Sequence, residues 1–409
     1  MTLIFYIIST FFLFYLVFPF ITVFFSLFKK DKTEENQAGK PQKEFDFGNI
    51  ITAYRNADIA KGLVQSLITQ THGKHHIYLV ADNADVSNWA DFKHEKFTLL
   101  KPEPALNLKI KSVIHATENY GRNHDYTVIW DADNLAHPRF LEIMNAYANA
   151  GEKAIQGQRT AKNHDTAIAG ADSLGEYYKN YIEREVPPLL GSSTVISGSG
   201  MAVERKLYNA YLYGDDITKG KELWKKMMQE DKILQNHILR TGERIVYAKE
   251  AICYDEKVTE ANQVETQRSR WLYSYFQNTP NSTGFILRGL FTFNWNKLFF
   301  GLITFAPPLF ILLGLSGLTF LISIFINVKV SLAFVAAGII FIATIFWTLK
   351  LSDAPPSVWA AVRAIPTFIS KQFLALFKMV NPNKNFKHSE HKVAVKVEDI
   401  LKDNIGTTD

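Results

Sequence analysis

The sequence predicts an α/β domain with a mostly parallel central sheet, set between segments able to cross a membrane. Three observations predict it. Short apolar runs alternate with helix-spaced patterns from about residue 46 to 275. Two of those runs end in aspartates, at the strand ends where open α/β sheets bind ligands. Long apolar stretches lie before and after that region.

The elements follow in order. Residues 2–28 hold no charge and are dense in Phe, Ile, Leu and Val. At about 1.5 Å per residue this run exceeds the roughly 30 Å hydrocarbon core. It lacks the basic start and small-residue cleavage site of a secretory signal, so residues 1–28 read as a retained anchor. Lys29, Lys30 and Lys32 place the following domain in the cytosol. Residues 29–45 form a polar linker, and 46–285 a globular domain with enough chain to bury one core. Its strand candidates are Asn49–Ala53, His76–Ala81, Thr98–Leu100, Tyr126–Trp130, Ala154–Gln156 and Ile245–Ala248, with a helix over Ile59–Ile68. A two-span hairpin over 286–350 follows: Leu298–Ile326, with a kink or break at Pro307-Pro308, then Val330–Leu349. Over 351–380, Arg363, Lys371 and Lys378 oppose Trp359, Phe368, Phe373 and Phe377, the pattern of an interfacial helix. The rival is a fourth span broken by Pro366. Three spans leave the tail 381–409 in the cytosol; four put it outside.

Composition narrows the class. Cys253 is the single cysteine, which excludes intrachain disulfides and fits a reducing compartment. A net charge of +5 suits an inner-membrane protein facing anionic lipid and gives no case for nucleic acid binding. Asn281-Ser-Thr is formally a glycosylation sequon, a chance match in a cytosolic setting.

The chemistry concentrates in four places. Tyr126-Thr-Val-Ile-Trp-Asp131-Ala-Asp133-Asn134 is a strand that delivers two carboxylates at its end. Side chains two apart on an extended chain face the same way, so Asp131 and Asp133 suit one hard cation or a diphosphate. Asp82 and Asp85 end a second strand, and Tyr54-Arg55-Asn56 a third. Together these suggest a nucleotide pocket; singly, each is what turns after strands commonly hold. Glu230 and Asp231 fall in an amphipathic pattern from Glu222 to Arg240, closed by Gly242. They are a solvated face or a helix-borne general base. In Gln267-Arg268-Ser269-Arg270-Trp271 a cationic pair beside an indole could hold a diphosphate and stack a sugar, or anchor to headgroups.

In order and spacing these pieces resemble the membrane-integrated family 2 glycosyltransferases, the group of cellulose, hyaluronan, chitin and poly-N-acetylglucosamine synthases. The resemblance runs from Asn49 to Trp271 and extends to the spans. It rests on D-x-D at Asp131-Ala-Asp133, E-D at Glu230-Asp231 and Q-x-x-R-W at Gln267–Trp271. It implies a GT-A fold and inverting, metal-dependent transfer from a UDP-sugar to a membrane-proximal glycan, or a single transfer to a lipid-linked acceptor. The implied roles are uracil for Tyr54 and Asp82, nucleotide for Asp131, Mg²⁺ or Mn²⁺ for Asp133, and general base for Asp231. Gln267, Arg270 and Trp271 would serve diphosphate and acceptor, Glu230 would lie beside the acceptor, and Gly198 in Ile196-Ser-Gly-Ser-Gly200 would belong to an acceptor loop. Gln156-Gly-Gln158-Arg159 matches the strand after D-x-D. Departures from the pattern are Ala57-Asp58 after Asn56, Asp82-Asn83-Ala-Asp85, Lys109-Ile-Lys111-Ser-Val-Ile-His115 in place of K-x-x-A-L-N, and Gln229 in place of threonine. Phe386–Lys392 is similar to the gating loop of polymerising members, with Ser389 for threonine. Three spans make a narrow channel, so processive export would call for a homo-oligomer or an export partner. A haloacid-dehalogenase-like phosphohydrolase also uses D-x-D, but it wants Thr or Val where Asn134 and Leu135 stand and leaves Gln267–Trp271 unexplained. A non-catalytic scaffold is at odds with intact Asp131, Asp133 and Asp231.

Overall fold

The computed structural model describes residues 2–31, 33, 42–162, 167–223, 229–257 and 261–364. These fall into two compact units, one within 31–163 and 193–257, the other within 2–30, 167–192 and 261–364.

The first unit is built on an eight-stranded mixed sheet. Its strands are β1 (Phe47–Asn56), β2 (His75–Asp85), β3 (Phe97–Leu100), β4 (Tyr126–Asp131), β5 (Leu135–Ala136), β6 (Ala154–Ala161), β7 (Met201–Glu204) and β8 (Val246–Asp255). The order is β3-β2-β1-β4-β7-β6-β8-β5. β3, β2, β1 and β4 are mutually parallel, and β6 is parallel to β8. β7 runs against both β4 and β6, so β6 and β8 point the same way as β4. The C-terminal ends of β1, β2, β4, β6 and β8 therefore share one edge, and β7 starts from it.

The strands are buried on both faces, which is why they read as unbroken apolar runs. Ile50, Ile51, Val128 and Trp130 are fully buried. Helices Lys61–Ile68 and Phe140–Asn149 cover Ile51, Val128 and Trp130 with Leu63, Leu67, Phe140, Leu141 and Met144. The Trp130 indole N–H, sealed in that core, donates to Asn49 Oδ1 at 3.0 Å, which removes the cost of an orphaned donor.

All six expected strands form, and most run further toward the shared edge. The Tyr126–Trp130 run extends to Asp131, His76–Ala81 reaches Asp85, and Ala154–Gln156 reaches Ala161. Those extensions are more polar than the runs they continue, and pairing with neighbouring strands holds them extended. β5 and β7 have no clear sequence signal, being two and four residues long. One expectation is corrected. Glu222–Arg240 is not one helix: Asp215–Leu223 and Glu230–Thr241 are separate, with 224–228 outside the described residues. Glu230 and Asp231 thus open a helix, where the macrodipole favours carboxylates, and Gly242 closes it at φ 89°.

The second unit contains three helices long and apolar enough to cross a membrane: Thr2–Ser26, Leu309–Ile326 and Val328–Leu351. The chain breaks at Pro307-Pro308, between helices Trp295–Phe305 and Leu309–Ile326. Asn327 alone joins the last two spans, capping the second by accepting the Lys329 N–H at 3.0 Å. Phe12, Tyr15, Leu16, Leu312, Phe341, Tyr178 and Ile182 form this unit's core. Of 351–380, a short helix Pro356–Ala360 and a 3-10 turn Ala361–Ala364 are seen; the remainder, and Phe386–Lys392, lie outside the described residues.

Candidate active site

The shared sheet edge collects the polar strand ends. Tyr54 on β1 stands in register with Asp82 on β2, and Thr52 with Asp131 on β4. The buried Asp82 carboxylate accepts the backbone N–H groups of Leu106 and Asn107 at 2.8 and 2.7 Å. Tyr54 donates its hydroxyl to Asn107 Oδ1 at 3.0 Å. Asp82, Asn107 and Tyr54 are thus one connected wall. Five non-glycine residues among those described have left-handed φ, and three of them, Arg55, Asn83 and Asn107, belong to this wall or its strand ends. Backbone held this way costs free energy and concentrates at binding sites.

Asp131 begins a tight turn. Its N–H donates to Asn134 Oδ1 at 3.0 Å, the Asn134 N–H returns to the Asp131 carbonyl at 3.1 Å, and Asn134 Nδ2 reaches Asp255 Oδ1 at 3.3 Å. The turn carries Asp133, mostly buried, whose carbonyl accepts Lys162 Nζ at 2.9 Å. Lys109, the first residue of helix Lys109–Glu118, ties the two acidic motifs together. Its ammonium donates to Asp131 Oδ1 at 2.6 Å and to the Gly198 carbonyl at 3.4 Å, and lies 3.8 Å from Glu230 Oε1. Gly198 (φ 89°) and Gly200 (φ 61°) turn the chain into β7 with left-handed backbone. A Cβ on Gly198 would approach Asp231 Cβ to 3.9 Å; one on Gly200 would collide with Cys253 Cβ at 2.8 Å. The D-x-D turn, the glycine loop and the E-D helix start therefore meet at one place.

Residues 46–274 match the model of a family described as glycosyltransferase like family 2. The chain belongs to the family 2 glycosyltransferases. Among solved structures, the glycosyltransferase is similar to the mannosyltransferase PcManGT from Pyrobaculum calidifontis in complex with GDP-Man and Mn²⁺. The two are 13% identical over 91% of this chain and 99% of that one, with a TM-score of 0.54, a likeness of fold. It is also similar to S. aureus TarS 1-349, at 12% identity over 85% of this chain and 94% of that one, TM-score 0.42. The same protein in complex with UDP-GlcNAc matches at 12% identity over 56% and 66%, TM-score 0.37. No curated protein sequence matches significantly.

The enzyme's acidic cluster has unusual electrostatics. Burial raises the Glu230 carboxyl, Lys109 opposes it, and Asp231 and Asp131 raise it again, to about 7. Burial alone would lower the Lys109 ammonium, yet Asp131 and Glu230 hold it above the usual lysine range. One cation is thus shared among several carboxylates. Beside it, the ends of β6 and β8 bring Arg159 Nε to 3.6 Å and Lys257 Nζ to 3.1 Å from Asp255 Oδ2.

The expected site residues are divided between the two units. Tyr54, Asp82, Asp131, Asp133, Gly198, Glu230 and Asp231 share the first unit. Arg270 and Trp271 belong to the second, on helix Ala261–Phe291, where the Lys179 ammonium lies 5.4 Å from the centroid of the Trp271 ring. The Gln267 side chain lies outside the described residues. Lys109 was legible only as part of a blurred motif. Its signal is a lysine opening a helix, where the macrodipole disfavours a cation unless acids nearby compensate.

Proposed function

We propose that this glycosyltransferase transfers a sugar from a UDP-sugar to a membrane-proximal glycan with inversion, as a synthase-like, membrane-integrated enzyme of polysaccharide synthesis. The observation that carries the proposal is Lys109, which gathers Asp131, Glu230 and the Gly198 loop next to Asp231. Donor and base functions thereby have one location.

In this reading the Tyr54–Asn107–Asp82 wall holds the uracil and Asp131 the nucleotide. The donor set fits a divalent cation of the Mg²⁺ or Mn²⁺ kind. Among the described residues no three His, Cys, Asp or Glu side chains form a cage, so Asp133, with or without Asp131, would hold the ion and diphosphate oxygens would complete its shell. That PcManGT was solved with GDP-Man and Mn²⁺ supports this. When bound, the cation supplies positive charge against the leaving diphosphate. Asp231 removes the proton of the acceptor hydroxyl as it attacks from the face opposite the departing UDP. Burial and its acidic neighbours favour the protonated form of Glu230, which limits the negative charge gathered around that base. Gln267, Arg270 and Trp271 are assigned diphosphate and acceptor by their motif alone.

The three apolar helices would span the membrane, with Lys29 and Lys30 and the catalytic domain on the cytosolic side, as in a bacterial inner membrane. Residues 351–380 would lie on its surface. The domain limits given above belong to the same proposal. Single transfer to a lipid-linked acceptor is favoured by one observation: the three candidate spans among the described residues are few for a closed channel unless an oligomer or export partner contributes.

The test uses the full chain in nanodiscs. UDP or GDP release is followed across UDP-glucose, UDP-GlcNAc, UDP-glucuronate and GDP-mannose, with Mn²⁺, Mg²⁺ or EDTA, and products are sized. Release from a UDP-sugar that EDTA abolishes supports the reading. A GDP-mannose preference or full activity in EDTA overturns it. Long products select polymerisation over single transfer.

A further inference from the structure

Gln156 is a polar residue inside an apolar strand. It follows Ala154 and Ile155 on β6 and is fully buried. The Lys109 bridge does not use it, nor does the sheet need its side chain, since the β6 backbone already pairs with β7 and β8. Its carboxamide turns instead to the loop before β7. Oε1 accepts the Ser197 N–H at 3.0 Å. Nε2 donates to the carbonyls of Ser199 at 3.0 Å and Gly200 at 3.3 Å, and to its neighbour Gly157 at 2.9 Å.

Other side chains reach the loop by single bonds: Arg159 Nη1 donates to the Ser197 carbonyl at 3.1 Å, and Gln235 Oε1 accepts the Ile196 N–H at 3.4 Å. Gly198 and Gly200 are both left-handed, a backbone that glycine leaves free to move. Backbone bonds fix only its end, where the Gly200 N–H donates to Ile129 and its carbonyl accepts from Gly157. Between them, Gly198 must present its carbonyl to Lys109 and its Cα to Asp231. A carboxamide offers a donor and an acceptor side by side at this reach. Glutamate lacks the donor, and asparagine is one methylene shorter.

We propose that Gln156 is a positioning residue for the transfer reaction: it clamps Ser197 and Ser199 on either side of Gly198 and so fixes the acceptor-side loop against Asp231. This rests on the reading of Gly198 and Asp231 given above.

The test is Gln156→Glu and Gln156→Leu in the full chain in nanodiscs. Binding is probed with UDP plus Mn²⁺, turnover with the donor that the parent uses fastest. Deuterium exchange is followed in peptides covering 193–204. The expected result is faster exchange across 196–200, UDP affinity within about twofold of the parent, and turnover down at least about tenfold. Protonation gives the glutamate variant a donor, so its deficit should shrink from about pH 8 to pH 6 relative to the parent. Parent-like exchange or parent-like turnover in the glutamate variant overturns the clamp. So does loss of UDP binding in both variants, which would make Gln156 a residue of the fold. If Asp231→Asn is inactive while Gln156→Glu is parent-like, only the clamp fails; if Asp231→Asn is also parent-like, the underlying reading fails.

Discussion

The two edges of the sheet use the same residue types to opposite ends. At the N-terminal edge, Asp46 just before β1 accepts from His124 Nδ1 at 2.8 Å and Arg122 Nε at 2.7 Å. His124 Nε2 meets the Tyr78 hydroxyl at 2.9 Å, and that hydroxyl accepts the Gly121 N–H at 3.1 Å. Asp46, Arg122, His124 and Tyr78 each have a matched partner; burial opposes the Asp46 carboxylate, yet His124 and Arg122 hold it well below the usual range. At the C-terminal edge one ammonium serves Asp131, Glu230 and a carbonyl, with Asp231 close by. A satisfied network stiffens a fold. An undercompensated one leaves charge to be met by a ligand, and perturbed titration of this kind concentrates at functional sites. The contrast argues for function at one edge and stability at the other.

The sharpest way to break the comparison is to remove one carboxylate from each edge. Asp231→Asn should cost about 10²–10⁴-fold in turnover while the melting temperature stays near the parent's. UDP affinity, measured by calorimetry with Mn²⁺, should be kept. Undiminished UDP release with acceptor present would sink the assignment. Asp46→Ala should do the reverse. It leaves His124 and the rest of a buried network without their acceptor, for a loss of about 3 kcal/mol, the low end for a broken buried pair because Arg122 is partly solvated. Turnover per folded molecule should be unchanged. Chemical denaturation and active-site titration check the two halves.

These two edges were not equally visible in the amino-acid sequence. Asp82, Asp131 and Asp133 could be found because a strand ending in a carboxylate is a local pattern, and the parallel topology then had to put them on one edge. Glu230 and Asp231 were found as a motif but placed mid-helix. The periodicity of Leu223 through Leu239 continues across a break that no glycine or proline marks, so a local reading could not see it. The contacts that give Lys109 and Gln156 their roles lie 22 or more residues away in the chain, Asp131 for one and the 197–200 loop for the other. Asp46, His124 and Tyr78 went unnoticed for the same reason: three ordinary residues become a network only when β1, β2 and β4 are parallel neighbours.

Lys109→Met offers a smaller, mixed effect. Without the ammonium, Asp131 and Glu230 face each other's field unscreened. UDP affinity with Mn²⁺ should fall by about tenfold, the scale of one charge-assisted hydrogen bond, if the lysine orders the donor side. Added Mn²⁺ should recover part of the loss by supplying charge at Asp131. A variant that binds as the parent does, with no dependence on the cation, would show that Lys109 serves the fold alone.

The smallest effect separates the edges by pH. Glu230 titrates near 7 in the folded chain against 4.5 ordinarily, so between those values the folded state holds a proton that the unfolded state has released. Stability is therefore lost as pH rises through that window. His75 and His76 behave oppositely. Burial, joined by the charges of Lys96 and Arg122 respectively, lowers each to about 4 from 6.5. There the unfolded state binds the extra proton, so stability is lost as pH falls from 6.5 toward 4. The two windows overlap from 4.5 to 6.5 with opposite signs, so Glu230→Gln should steepen the rise in melting temperature over that range and remove the fall between 6.5 and 7, while His76→Gln should make the rise shallower. The measurement is a melting series from pH 4 to 8 without donor. If Glu230→Gln shifts every point equally, the carboxyl is not titrating in this window, and the charge imbalance that distinguishes the C-terminal edge is smaller than its geometry implies.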